Sequence, residues 1–178
     1  MSIIRFLLLQ MFLTLTMSCQ EKKNPLDFLK KSDYEIFFGI TIEARKEDSG
    51  KYVAYKFTKE LSDVKYTLPN YKYYNSHQIA DDKLFDIVKY GAANGLSNFS
   101  DASSAAKRYS DSIVNEFEKT GTYKIFSSEK QGHFIVFYLN DTDFIAYVPD
   151  KSKIYTDFWK NKISSAKELE PNWFSGKY

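Results

Sequence analysis

One cysteine, two histidines, seven glycines and four prolines occur in the 178 residues. A lone cysteine excludes an intramolecular disulfide. A chain of this length buries roughly 70% of the surface it exposes when unfolded, so it needs neither metal nor disulfide to keep a core. Charge of one sign is also missing. A formal net charge of +2 leaves no electrostatic footprint for a nucleic acid, so that partner is excluded. With 43% hydrophobic and 27% charged residues, neither a disordered tail nor a polytopic membrane protein fits. No internal repeat or low-complexity segment breaks the chain. There is no G-x-S-x-G elbow. Gly91-Ala-Ala-Asn-Gly95 lacks the G-K-[ST] ending of a phosphate-cradling loop. No cofactor is implied.

What is present begins at the start of the chain. One positive charge, Arg5, precedes an apolar stretch of 12 residues, 6–17. This is the n-region and h-region of an export signal, and it is short for a bilayer span. Thr16-Met17-Ser18-Cys19 then places a small residue directly before the only cysteine. The segment resembles the lipobox of bacterial lipoproteins. That resemblance implies diacylglyceryl attachment at Cys19 and cleavage between Ser18 and Cys19 by a type II signal peptidase. Membrane lipid becomes a partner through Cys19. Lipid chains contribute about 0.8 kcal/mol per buried CH₂, and two or three together anchor stably. Thr16-x-Ser18 also fits the small-x-small cleavage site of ordinary secretion. Gln20 is not the Asp tied to inner-membrane retention in enteric bacteria, so the outer membrane is the expected destination. The chain divides into a signal peptide (1–18), a tether (19–25) and a single α+β domain (26–178).

Within that domain the pattern alternates between periods. Residues 26–31 suggest a short helical turn. From Tyr34 a period of two puts Ile36, Phe38, Ile40, Ile42 and Ala44 on one strand face, with Glu35 and Glu43 on the other. Residues 47–50 form a turn, 51–58 a return strand, and 64–68 a third strand ended by Pro69. Helical spacing follows: Leu84, Ile87, Val88 and Gly91 at i, i+3, i+4, i+7, with Asp81 and Asp82 at the start and Gly91 as C-cap. Ser100 or Asp101 caps a second helix striped by Ala105, Tyr109, Ile113 and Phe117, and Gly121 ends it. Strands return near Tyr123 and at 133–139. Asn140-Asp141-Thr142-Asp143 turns the chain into a strand over 144–148. A last helix spans 156–167 with Trp159, Ile163 and Ala166 inward, and Pro171 leaves a tail. Strands come in runs, so the class is α+β: an antiparallel sheet of five or six strands with two or three packed helices.

Chemistry-bearing residues are sparse. Any Ser–His dyad must use His77 or His133. His77 and Asp81 have helical ligand spacing but need a third ligand, and Asp residues at a helix start serve its dipole. The 140–143 segment lacks the remaining positions of a calcium loop. Glu35 and Glu43, eight residues apart on one strand, stand about 26 Å apart, too far for a glycosidase pair. No metal site or catalytic residue is assigned. The aromatics remain, 15 Phe, 14 Tyr and 2 Trp. Tyr71, Tyr73 and Tyr74 cluster with Lys65 and Lys72, and Trp159, Trp173, Phe174 and Tyr178 gather at the C-terminus. Tyrosine and tryptophan anchor partners and stack on sugars. Tyr71, Tyr73 and Tyr74 are the expected recognition surface.

The sequence thus predicts a monomeric, lipid-anchored binding module of the cell envelope. Its partner would be an envelope protein, a glycan or a toxin that it neutralises. The competing class is an envelope hydrolase using His77 or His133 with carboxylates. Labelled fatty acid is expected to enter the wild-type chain and not Cys19→Ala. Equal labelling of both would remove the anchor.

Overall fold

The computed structural model describes residues 24–46, 52–61, 64–73, 78–79 and 86–178. Among them, four α-helices and one antiparallel sheet make up the α+β class that the pattern predicts. The strands are β1 (Ile40–Lys46), β2 (Tyr52–Leu61), β3 (Val64–Tyr73), β4 (Gln78–Ile79), β5 (Lys124–Phe126), β6 (Ile135–Tyr138), β7 (Asp143–Tyr147), β8 (Lys167–Glu170) and β9 (Trp173–Lys177). Their spatial order is β4-β3-β2-β1-β5-β6-β7-β9-β8. The sheet is larger than the five or six strands expected: nine described strands, one of them, β4, only two residues long. The helices are α1 (Pro25–Leu29), α2 (Ile87–Ala93), α3 (Phe99–Thr120) and α4 (Asp157–Ser165).

Three local reasons account for the differences. Residues 34–38 do not extend into a strand. Tyr34–Phe37 is a 3-10 helix, which removes Glu35 from the strand that carries Glu43. Gly39 then turns the chain at φ 69° into β1. Second, Pro69 does not stop β3. It pairs with Lys56 of β2, and β4 reaches only Tyr71 and Lys72. Among the described residues the strand has one neighbour at Pro69, so no described partner requires a ladder donor on its other side. Third, the C-terminal tail is the β8–β9 hairpin. Asn172 turns it at φ 71°, a conformation asparagine tolerates better than most residues.

Helix ends follow their own chemistry. The α3 cap is Asn98, whose Oδ1 accepts from the Ser100 N–H at 2.8 Å, so neither Ser100 nor Asp101 serves. Gly121 ends the helix at φ 67°. Gly91 lies inside α2 instead of capping it. A Cβ there would stand 2.8 Å from that of Ala102, so glycine lets α2 and α3 approach.

Alternation along the strands separates two buried clusters. Ile125, Ile135, Phe137, Ile145 and Trp173 pack with Ile113, Val114 and Phe117 of α3. Phe134, Val136, Tyr138, Phe144, Ala146 and Phe174 pack with Trp159 and Ile163 of α4. Neighbouring residues on a strand face opposite ways, so α3 and α4 cover opposite faces of the sheet. The loop between β5 and β6 is strapped to residues 153–155, just before α4. The His133 N–H donates to the Lys153 carbonyl at 2.9 Å and the Tyr155 N–H to that of Gln131 at 2.8 Å. Between them Gly132 (φ 144°) bridges Ile154, and a Cβ there would fall 2.4 Å from the Lys153 oxygen.

A tyrosine cluster fills the α2–α3 side, with Tyr66 and Tyr90 at 5.5 Å and Tyr90 and Tyr109 at 5.8 Å between ring centroids. Burial pushes the Tyr66 phenol up to about 12, and that of Tyr109 also rises, mainly through burial.

Two outcomes are expected. Gly132→Ala destabilises the domain by about 2 kcal/mol or more, roughly 2–4 °C in melting temperature per kcal/mol. Gly121→Ala, where a Cβ meets nothing within 4 Å, carries only the left-handed backbone cost of about 1 kcal/mol. Thermal unfolding followed by circular dichroism compares them, and equal losses would show that the strap is not tight at Gly132. The second concerns alkali. An unfolded phenol ionises near 10, whereas folded Tyr66 holds its proton to about 12. The stabilisation is complete below pH 10 and is lost as pH rises through about 12. Denaturant midpoints below pH 10 and between 10 and 12 test it, and unchanged midpoints would contradict it.

Candidate functional site

The start of α4 borders a cleft of about 430 Å³. Thr156 is the helix N-cap, and Trp159 and Ile163, four residues apart, turn inward on one helical face. The neighbouring Phe158 is left outward, 49% exposed. Strand β5 contributes Lys124 and Phe126, β6 contributes Tyr138, the strapped loop contributes Gln131, and Tyr178 follows β9.

Trp159 lies deep in this wall and is 2% exposed. Its indole N–H donates to Gln131 Oε1 at 2.8 Å. Tryptophan can only donate, so the bond fixes the carboxamide orientation and leaves its two N–H donors toward other partners. Phe126 stacks beside the indole at 5.8 Å and 19°. Phe158 and Tyr178, centroids 5.9 Å apart, form the rim. The Lys162 ammonium stands 5.7 Å from both rings and donates to the Lys177 carbonyl at 3.1 Å. These contacts hold two otherwise loose rings in place.

Polar groups are few. The Lys124 ammonium lies 5.2 Å from the Tyr138 ring centroid. Burial, reinforced by the neighbouring Tyr178, keeps the Tyr138 phenol well above the usual tyrosine range. It therefore stays neutral at any physiological pH. Thr156 is the exception to good satisfaction. Its hydroxyl is buried, does not cap α4, and has no hydrogen-bond partner among the described residues. Such a group costs free energy until something binds it. Among the described lining residues there is neither a carboxylate nor a histidine. The titratable side chains of the lining are Lys124, Tyr138 and Tyr178.

Other sequence candidates are scattered. His133 precedes β6, exposed, and stacks on Phe38 at 4.0 Å and 7°. Tyr71 and Tyr73 lie on the backbone of β3, paired with Ala54 and Tyr52. Their side chains, together with Tyr74, His77, Asp81, Asp82 and Cys19, lie outside the described residues. Asn140 Oδ1 accepts from the N–H groups of Thr142 and Asp143, each at 2.8 Å, and Asn140 Nδ2 donates to Asp143 Oδ2, so the 140–143 segment is a closed turn. The bond from Asn140 Nδ2 most, and one from the Thr142 hydroxyl, hold the Asp143 carboxyl below its usual range. Four S-x-x-K spacings, the pattern of acylating serines, start at Ser62, Ser104, Ser127 and Ser164. Ser62 lies outside the described residues, and the Ser164 hydroxyl donates to the Lys160 carbonyl at 2.7 Å. Ser104 and Lys107 lie on the exposed side of α3, where Lys107 pairs with Asp111 at 2.9 Å. The Ser127 hydroxyl ties the Gly39 N–H to the Phe134 carbonyl. No described group of three or more His, Cys, Asp or Glu side chains could hold a metal.

No family model, curated protein or solved structure matches the chain.

Removing the acceptor beneath the cleft should expose its role. Gln131→Leu leaves the Trp159 N–H without its partner and is expected to cost about 1–3 kcal/mol. The melting temperature falls and the Trp159 indole N–H resonance moves. An unchanged melting temperature would show that the pair does not hold the wall.

Proposed function

We propose that the chain is an exported lipoprotein, acylated at Cys19 and held on the outer membrane, whose folded part is a non-catalytic binding module. The cleft beside α4 carries this reading. It joins the half-exposed rings of Phe158 and Tyr178 to the Lys124 ammonium and the Gln131 carboxamide. A volume of about 430 Å³ is within the range of small-molecule sites. The occupant is a free envelope compound or a group displayed on a glycan or partner protein. The second candidate surface is Tyr71, Tyr73 and Tyr74; the backbone of Tyr71 and Tyr73 belongs to β3, on the opposite arm of the sheet from α4.

A ligand-detected magnetic resonance screen of sugars and ring compounds against the full chain separates the two. Hits are expected to weaken about tenfold, or roughly 1.4 kcal/mol, in Phe158→Ala and to persist in Tyr73→Ala. The reverse pattern would move the site to β3. Hits unaffected by either change would remove both surfaces.

A further inference from the structure

The polarity of the cleft narrows the ligand, given its reading as a binding site. We infer that it takes a small organic anion with a flat ring, the ring among Phe126, Phe158 and Tyr178 and a carboxylate toward Lys124 and Gln131. Donors outnumber acceptors here. Lys124 brings an ammonium, and Gln131 keeps two N–H donors because Trp159 occupies its oxygen. None of the described lining residues is acidic.

The helix adds to the same sign. Thr156, Phe158 and Trp159 all line the cleft, so the positive end of α4 lies against it. The Thr156 side chain does not cap that end. The one opposing charge in the first turn, Asp157, is outside the lining, is 93% exposed, and lies 3.6 Å from Lys160. Lys162 adds a second cation at the rim.

A neutral sugar fits less well. Its hydroxyls can accept, but each also carries an O–H that needs an acceptor, and the Gln131 carboxamide oxygen already accepts from Trp159. Burying those hydroxyls unpaired would cost more than the stacking returns. A carboxylate accepts only, which is what the free groups here can satisfy.

The test uses the full chain in detergent micelles, with the Trp159 indole N–H resonance as reporter. The probes are 1-naphthoate, its neutral counterpart 1-naphthylmethanol, and cellobiose. Naphthoate is expected to bind about tenfold more tightly than the alcohol, equivalent to roughly 1.4 kcal/mol. Added salt and Lys124→Met should each shrink that margin, while Phe158→Ala weakens both naphthyl probes. Lys124→Gln, with its melting temperature checked, guards against a misfolded Met variant. If the alcohol or cellobiose binds as tightly as naphthoate, the anion inference falls and the cleft stands. The anion inference falls in the same way if the margin survives both Lys124 variants. If no probe moves the Trp159 resonance, the cleft falls with it.

Discussion

Ile135, Val136 and Phe137 are all sealed from solvent, and so are Phe144, Ile145 and Ala146. Strands β6 and β7 therefore have no wet face, and each must be covered twice. Fully burying one large apolar side chain contributes about 1.5–3 kcal/mol, so neither cover is optional. The long helix α3 supplies one, with Ile113, Val114 and Phe117. On the other face the cover is the much shorter α4, through Trp159 and Ile163. A nine-residue helix cannot blanket a sheet this broad. The cleft lies between its first turn and the half-exposed Lys124 and Phe126 of β5, with the buried Tyr138 of β6 also in its lining. The cleft is thus a by-product of sealing the central strands with a helix of limited length.

That arrangement also explains which parts were legible in the residues. Helix α3 has a 22-residue amphipathic stripe and a glycine stop, and the β6–β7 hairpin has a continuous apolar run broken by a polar turn. Both signals are local. Trp159 and Ile163 showed the inward face of α4 in the same way. The 3-10 turn at Tyr34–Phe37 is only four residues long, and its Phe and Ile mimic strand alternation. The β8–β9 hairpin hid behind Pro171, which read as a stop, while the turn belongs to Asn172. Gly91 is needed for what it meets across α3, which no spacing records.

The cleft was harder to read. Its walls come from Lys124, Phe126 and Tyr138, from Thr156 to Trp159, and from Tyr178. They converge only because β5 lies between β1 and β6 and β9 lies beside β7. The C-terminal crowding of aromatics was the one trace in the sequence. Gln131 gave none, because its importance lies in one bond to Trp159 and in the strap through Gly132.

The first described helix has a mechanical consequence. Asn24 caps α1, accepting from the Leu26 N–H at 3.2 Å, and Leu26 and Leu29 are sunk in the main core at 1% and 0% exposure. Lys30 pairs with Glu170 of the edge strand β8 at 2.6 Å. The chain is thus clamped from its first described residues. Five residue steps separate Asn24 from Cys19, and a fully extended chain covers at most about 3.6 Å per step. A lipid on Cys19 would therefore work on a leash of roughly 18 Å. The folded body would ride against the headgroups, sampling compounds at the bilayer surface in two dimensions and out of reach of anything a stalk's length away.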